Sequence, residues 1–540
     1  MRFNQGSWPR NIGLMLEHHA GAERPVFHLD RPFDIAPEGD TRYTVADLAE
    51  LVAQTSGALH AAGLRPGDRL AIVKDNHFDI ALLAAAAARI GALPAMISTT
   101  IRPEALATML DRLTPSVLVA SPGLFTAVAK QGCRLPGPGV RSVVLGDGPD
   151  VPNGAVQLAE LRGSPVPPAT PVRDDEPMIC THTSGTTGVP KLVVHAANTA
   201  VGVNSKLETA RIPFLSMRRD DVFVLSVAFM HIRSITWLAG QMRRPPGTSV
   251  IVANSDPASV TATLRAHPPT VLEACPNIFL RWEQLPVTHP ELFERCRAFV
   301  STFDAIHPRT VRTFLSASKR HGAVWGQSWG QSEVGPVTLG VYTQRHVRRA
   351  RDQATAITAD VGRPVPFIIK TRVVDPETRR PVRPGQEGLI LVRTKGLCLG
   401  YLGEDDRYQA KRWDGWWNTG DLGLRTRGGH IRIRDREVDV IPDGSGLHTE
   451  SVLLDRIPDA TEVIVLGVPG RKPVPVISTQ SGALDPATWR AAAEGLPTME
   501  NPIVISWDGF PRTATWKVRR PELRRQLFDT AQTFGTGRWT

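Results

Sequence analysis

The chain reads as a layered α/β protein followed by a small α+β domain. Three observations predict this. Helix-like and strand-like segments alternate from residue 44 to about 145, β-rich runs separated by turns fill 365–400, and a new compact pattern starts near 435. At 44–63, Thr44 can cap a helix with Asp47 at its third position. Val45, Leu48, Leu51, Val52 and Leu59 fall near one face, and Gly63 can end the helix in a left-handed conformation. Leu70-Ala71-Ile72-Val73 follows as a short strand, then a helix over about 79–90, then Gly91-Ala92-Leu93-Pro94 and another apolar stretch. Val117-Leu118-Val119-Ala120 and Val143-Val144-Leu145 continue the alternation. Around 365–400, Ile368-Ile369, Arg372-Val373-Val374 and Leu389-Ile390-Leu391-Val392 predict a small β-subdomain, with turns at Asp375-Pro376-Glu377-Thr378 and Pro384-Gly385. The tail carries strands at Val463-Ile464-Val465-Leu466 and Ile503-Val504-Ile505 and helices near 486–494 and 520–528. The expected division is a large N-terminal domain, 1–434, and a small C-terminal domain, 435–540.

Composition narrows the function classes. The chain has 540 residues, 41% apolar and 21% charged, with 46 Gly and 45 Pro but no collagen-like period. That is ordinary globular usage and more than one core, which excludes a fibrous protein. The longest apolar run, 80–88, is closed by Arg89, far short of the ~20 residues of a membrane span. The N-terminus lacks a charged-then-apolar signal pattern, so a cytoplasmic protein is expected. Cys133, Cys180, Cys275, Cys296 and Cys398 are widely spaced and suggest neither a disulfide framework nor structural zinc. The formal charge of +10 comes from arginines spread along the chain, without a nucleic-acid recognition motif. A solvated surface compatible with an anionic substrate is the better reading.

The most informative segment is 179–191, Ile-Cys-Thr-His-Thr-Ser-Gly-Thr-Thr-Gly-Val-Pro-Lys. Gly185 and Gly188 let backbone N–H groups approach an anion closely. The hydroxyls of Thr183, Ser184, Thr186 and Thr187 can donate to phosphate oxygens, and Lys191 adds a point charge. The pattern differs from the Walker loop, which joins Gly, Lys and Ser/Thr directly. With it come Gly63-Leu64-Arg65-Pro66-Gly67-Asp68-Arg69, Trp329-Gly330-Gln331-Ser332-Glu333, Val361-Gly362-Arg363-Pro364, Asn418-Thr419-Gly420-Asp421 and Pro511-Arg512-Thr513-Ala514-Thr515-Trp516-Lys517. In this order and across nearly the whole chain, they resemble the adenylate-forming superfamily of acyl- and aryl-CoA synthetases, adenylation domains and luciferases.

The resemblance implies an adenylation domain with layered sheets and a mobile C-terminal lid, using ATP and Mg2+, with coenzyme A as a further candidate. It implies roles for individual residues. Glu333 is similar to a magnesium-binding glutamate, a hard oxygen ligand suited to that ion. Ser332 can reach a phosphate oxygen, and Trp329, followed by Gly330, stands where an aromatic stacks on adenine; its other reading is a core residue. Asp421 resembles a ribose-binding carboxylate, with Arg436 beside the same ribose. Lys517 resembles the lysine that bridges the attacking oxygen and the α-phosphate. His231 falls where a histidine or aromatic lies beside the substrate carboxylate; a structural histidine is its other reading.

Four departures accompany the resemblance. Val438 replaces the hinge Asp or Lys, and Trp516 replaces the glycine before the lysine. Phe303 and Asp304 fall in a segment that elsewhere is glycine-rich and lines the adenine and acyl pocket. Pro442-Asp443-Gly444-Ser445-Gly446 replaces a Lys- and Gly-rich turn on the pantetheine path. The leading expectation is adenylation of an aryl or short organic acid, then transfer to CoA or another thiol. The alternative is a diazotase that adenylates nitrite and diazotises an aryl amine, with Asp304 near the amine. A nucleotide-holding module without catalysis has no use for a lysine such as Lys517.

Overall fold

The computed structural model describes residues 9–133, 135, 137, 139–148, 150–183, 189–304, 306–349, 359–436, 441, 445–513 and 515–529. The chain forms two compact units, one of Met1–Glu273, Ser332–Gly335 and Lys395–Ala410, the other of Ala274–Gln331, Pro336–Thr394 and Lys411–Thr540.

The first unit is built on an eight-stranded sheet. Arg69–Lys74 lies at its middle, parallel to Leu93–Ser98 on one side and Val117–Ala120 on the other. Arg141–Val144 and Val156–Gln157 extend one flank in parallel. On the other flank Pro177–His182 runs parallel to Leu93–Ser98, and Leu192–Ala196 and Gly400–Tyr401 return antiparallel. Parallel neighbours need crossovers, here the helices Asp79–Ile90, Pro103–Leu113 and Pro122–Ala129. Every residue of Asp79–Ile90 is buried, which explains its run of alanines; larger side chains would not fit on all sides. Gly91 ends it at φ +87°, where a Cβ would lie 2.3 Å from the Thr170 carbonyl oxygen. Helix Val45–Ala61 starts with a reciprocal capping box between Thr44 and Asp47, as its sequence predicts. A second group of strands, Val222–Ser226, Thr248–Ile251 and Val26–Leu29, is parallel, with Arg42–Tyr43 antiparallel at its edge.

In the second unit, Ile369–Val374, Glu387–Thr394, Trp416–Arg425, Ile431–Arg436, Asp360–Pro364, Thr338–Thr343, Val324–Ser328 and Ala298–Thr302 are successive neighbours in one sheet. The expected runs at 368–369 and 372–374 are one strand, Ile369–Val374, paired with Glu387–Thr394 over six residues. The tail builds a smaller sheet of Ala460–Leu466, Val474–Thr479 and Ile503–Val504. Helices Gly446–Arg456, Pro486–Ala493 and Arg520–Phe528 accompany it, the last two where the sequence predicts them. Leu453, Ile457, Val463, Val465 and Ile477 form one of its cores, and Leu466, Val474, Val476, Phe510 and Leu523 the other. No helix among the described residues is long and apolar enough to cross a membrane.

Candidate active site

The predicted residues fall into two groups, one on each unit. In the first unit, strand Pro177–His182 runs into the phosphate-loop sequence and Leu192–Ala196 leaves it. The base is closed by Thr183, whose N–H donates to the Lys191 carbonyl (3.0 Å) and whose hydroxyl accepts from the Lys191 N–H (3.1 Å). Ser184, Gly185, Thr186, Thr187 and Gly188 lie outside the described residues. The Lys191 ammonium lies 5.2 Å from the ring centre of Tyr401, a cation–π distance.

Tyr401, which sequence reasoning did not single out, contacts two of the candidate residues. Its hydroxyl donates to Glu333 Oε1 at 2.6 Å, and the Glu333 carbonyl accepts from the Cys398 N–H at 2.7 Å. Burial, then the adjacent carboxylate, pushes the Tyr401 phenol up, so it stays protonated and remains a donor. Glu333 is itself buried, with one oxygen held by this bond. Among the described residues no three His, Cys, Asp or Glu side chains cluster as a metal cage. A single oriented carboxylate nonetheless fits magnesium, which keeps waters and substrate phosphates as its other ligands.

Ser332 is held from both ends. His231 Nε2 lies 3.2 Å from its hydroxyl and His195 Nε2 lies 2.7 Å from its carbonyl oxygen. His231 is the N-cap of helix Ile232–Arg243, and its Nδ1 accepts from the Arg233 N–H. An accepting Nδ1 fixes the neutral ring with its proton on Nε2, so His231 donates toward Ser332. The segment is therefore a helix start, and Arg233 turns away to Glu208 (2.6 Å) and Glu273 (2.5 Å).

His195 is wholly buried, and burial pushes its imidazole down to about 4; burial does the same to His307, beside the Ser451 carbonyl in the second unit. Unfolded, both titrate near 6.5, so the unfolded chain binds the extra protons first. Their contribution to stability is full above that value and is lost as pH falls toward 4. Thermal unfolding temperature should drop across this window, and a flat or rising profile would contradict it.

In the second unit Asp421 is buried and accepts from Gln331 Nε2 at 2.9 Å. The same Gln331 amide reaches the Thr419 carbonyl at 2.7 Å, and its oxygen accepts from the Trp417 indole at 3.1 Å. Gln331 lies inside the Trp-Gly-Gln-Ser-Glu motif, yet only the folded chain shows it orienting Asp421. Arg436 ends strand Ile431–Arg436 in register with Asp421. Trp329 is half-buried against Val361, Val373, Ile390 and Ile431, and Gly330 follows in the short strand Gly330–Gln331. Lys517 Nζ lies 3.8 Å from Asp304 Oδ1, so these two predicted residues are brought together. Phe303, next to Asp304, is half-buried and takes a left-handed backbone at φ +85°. Val438 and 442–444 lie outside the described residues.

The described residues thus hold a buried carboxylate braced by a tyrosine in the first unit and, in the second, an aspartate oriented by a glutamine. Residues 20–402 match the AMP-binding enzyme family, and the chain belongs to it. It is an AMP-forming ligase. It is 37% identical over 541 residues to a 3-amino-2-hydroxy-4-methoxybenzoate diazotase of Streptomyces cremeus, covering 96% of this chain and 95% of the relative. It is 26% identical to a long-chain-fatty-acid–CoA ligase of Thermus thermophilus, covering 80% and 79%. The fold is also that of an anthranilate CoA ligase solved with anthranoyl-AMP (TM-score 0.77, 20% identity, 96% and 97% covered).

Proposed function

We propose that this enzyme is an ATP-dependent diazotase acting on an aryl amine, with nitrite as the group it adenylates. The observation that carries this reading is the 37% identity to a diazotase along almost the entire chain, against 26% over a shorter stretch to an acyl-CoA ligase. The relative's name describes an aminobenzoate whose amine is flanked by a hydroxyl and a methoxy group. We assign the same substrate class here.

In the first step a nitrite oxygen attacks the α-phosphorus of ATP, the bond to the β-phosphate breaks, and pyrophosphate leaves. The amine nitrogen then attacks the nitrosyl nitrogen, the N–O bond to phosphate breaks, and AMP leaves as the amine gives up a proton. The nitrosamine tautomerises to a diazohydroxide, takes one proton and loses water as the diazonium forms. Residues 183–191 cradle the phosphates, with Lys191 as the point charge. Trp329 faces adenine, Asp421 and Arg436 take the ribose, and Ser332, fixed by His231, donates to phosphate. Glu333 holds magnesium, which supplies charge neutralisation when bound. Lys517, on the small C-terminal domain 435–540, bridges nitrite and the α-phosphate. Asp304, beside Lys517, accepts the proton the amine releases. Coenzyme A has no part in this reading.

The test is pyrophosphate release with ATP, magnesium and a panel of aminohydroxybenzoates, with and without nitrite, and diazonium trapping by a coupling phenol. Release that requires nitrite, together with a coupled azo dye, is expected. Release driven by a benzoate alone, with a CoA thioester formed, would move the enzyme to acid activation.

A further inference from the structure

The turn that carries Lys517 is fastened in an unusual way. Trp516, where the resemblance expects glycine, has φ +65°, a left-handed conformation that is a genuine outlier for a bulky residue. Its N–H donates to the Thr513 carbonyl at 2.9 Å. Its carbonyl accepts from Asn277 Nδ2 at 2.6 Å and from Arg512 Nη1 at 3.1 Å. Its indole lies 5.4 Å from the Trp507 ring, tilted by 33°. The Arg281 guanidinium stands 5.3 Å from Trp507 and 5.8 Å from Trp516, and Arg512 stands 4.0 Å over Trp507. Asn277 and Arg281 both belong to helix Pro276–Arg281, which is not part of the C-terminal segment. The Lys517 N–H and carbonyl are tied to Thr513 at 3.1 and 2.8 Å.

Glycine would take this backbone conformation without cost, whereas tryptophan takes it only if its ring gains something. What the ring gains is a tryptophan–arginine stack with helix Pro276–Arg281. We propose that Trp516 and Arg281 are positioning residues that latch the Lys517 turn onto this helix. The latch rests on these contacts and not on the diazotase reading.

The test uses no substrate, so its failure is distinct from failure of the nitrite assay. The full-length protein is pulsed with an acetyl N-hydroxysuccinimide ester, and acetylation of Lys517 is compared by mass spectrometry with that of the exposed Lys472. Trp516→Asn accepts left-handed backbone but cannot stack, and Arg281→Met removes the cation. In both, Lys517 should react about tenfold faster than in the parent while Lys472 is unchanged, on the scale of lost stacking and cation–π contacts. Trp516→Phe should restore slow labelling. If Lys517 reacts at the parent rate in folded Trp516→Asn, the latch is wrong. Should that variant not fold, unchanged labelling in Arg281→Met and Asn277→Ala would overturn it equally.

Discussion

Lys517→Ala is expected to slow nitrite-dependent pyrophosphate release by about 10²–10³-fold, the cost of removing one preorganised group that stabilises developing charge. The chemistry explains the size. Charge builds between the attacking oxygen and the α-phosphate, and a cation held there acts most strongly in the transition state. Stability should hardly change. The Lys517 side chain is partly exposed and its ion pair with Asp304 spans 3.8 Å, a separation at which such pairs contribute little. Steady-state rates and thermal unfolding on the same samples separate the two effects. Retained turnover in a folded variant would remove Lys517 from the reaction, whereas lost turnover with lost folding would make it structural.

Arg233→Met is expected to lower the unfolding free energy by about 3–5 kcal/mol, because it strands one buried and one half-buried carboxylate. Arg233 sits between Glu208 and Glu273, at 2.6 and 2.5 Å, and Glu273 is fully buried. Burial pushes the Glu208 carboxyl up, and Arg233 opposes that. The hydrogen bond to His231 Nδ1 comes from the main-chain N–H of residue 233, which Met keeps, so the ring that reaches Ser332 should stay in place. Urea unfolding measures the loss. The triple variant Arg233→Met, Glu208→Gln, Glu273→Gln should recover much of it, since no charge is left unpaired. A single variant as stable as the parent would show that the trio carries no net burden.

Local signals carried the elements near the start of the chain and in its tail, while the strands and helices between 177 and 364 were read only as motifs. The Thr44–Asp47 box, the alanine helix ending at Gly91 and the strands of the tail are all written within a few neighbouring residues, and each forms where expected. The phosphate-loop sequence and Lys517 stand out as candidates for the same reason. What stayed hidden depends on residues far apart in sequence. Tyr401 reaches Glu333 only because Gly400–Tyr401 adds to a sheet edge, and Arg233 meets Glu208 and Glu273 only through folding. His231 caps a helix, a role in which an imidazole nitrogen replaces the usual hydroxyl or carboxylate and which no neighbouring residue signals.

The strand Gly400–Tyr401 also has a consequence for synthesis. It closes against Val193 and Val194, so the sheet of the first unit lacks its last edge until some two hundred further residues have been made. Ribosomes add about 5–20 residues each second, which leaves that edge open for about ten seconds or longer. Throughout that interval the nascent chain carries an unpaired strand beside an apolar face, a surface that invites association with neighbouring chains. Slow translation of 195–400 should therefore favour aggregation, and chaperone supply should set the yield of active enzyme in expression.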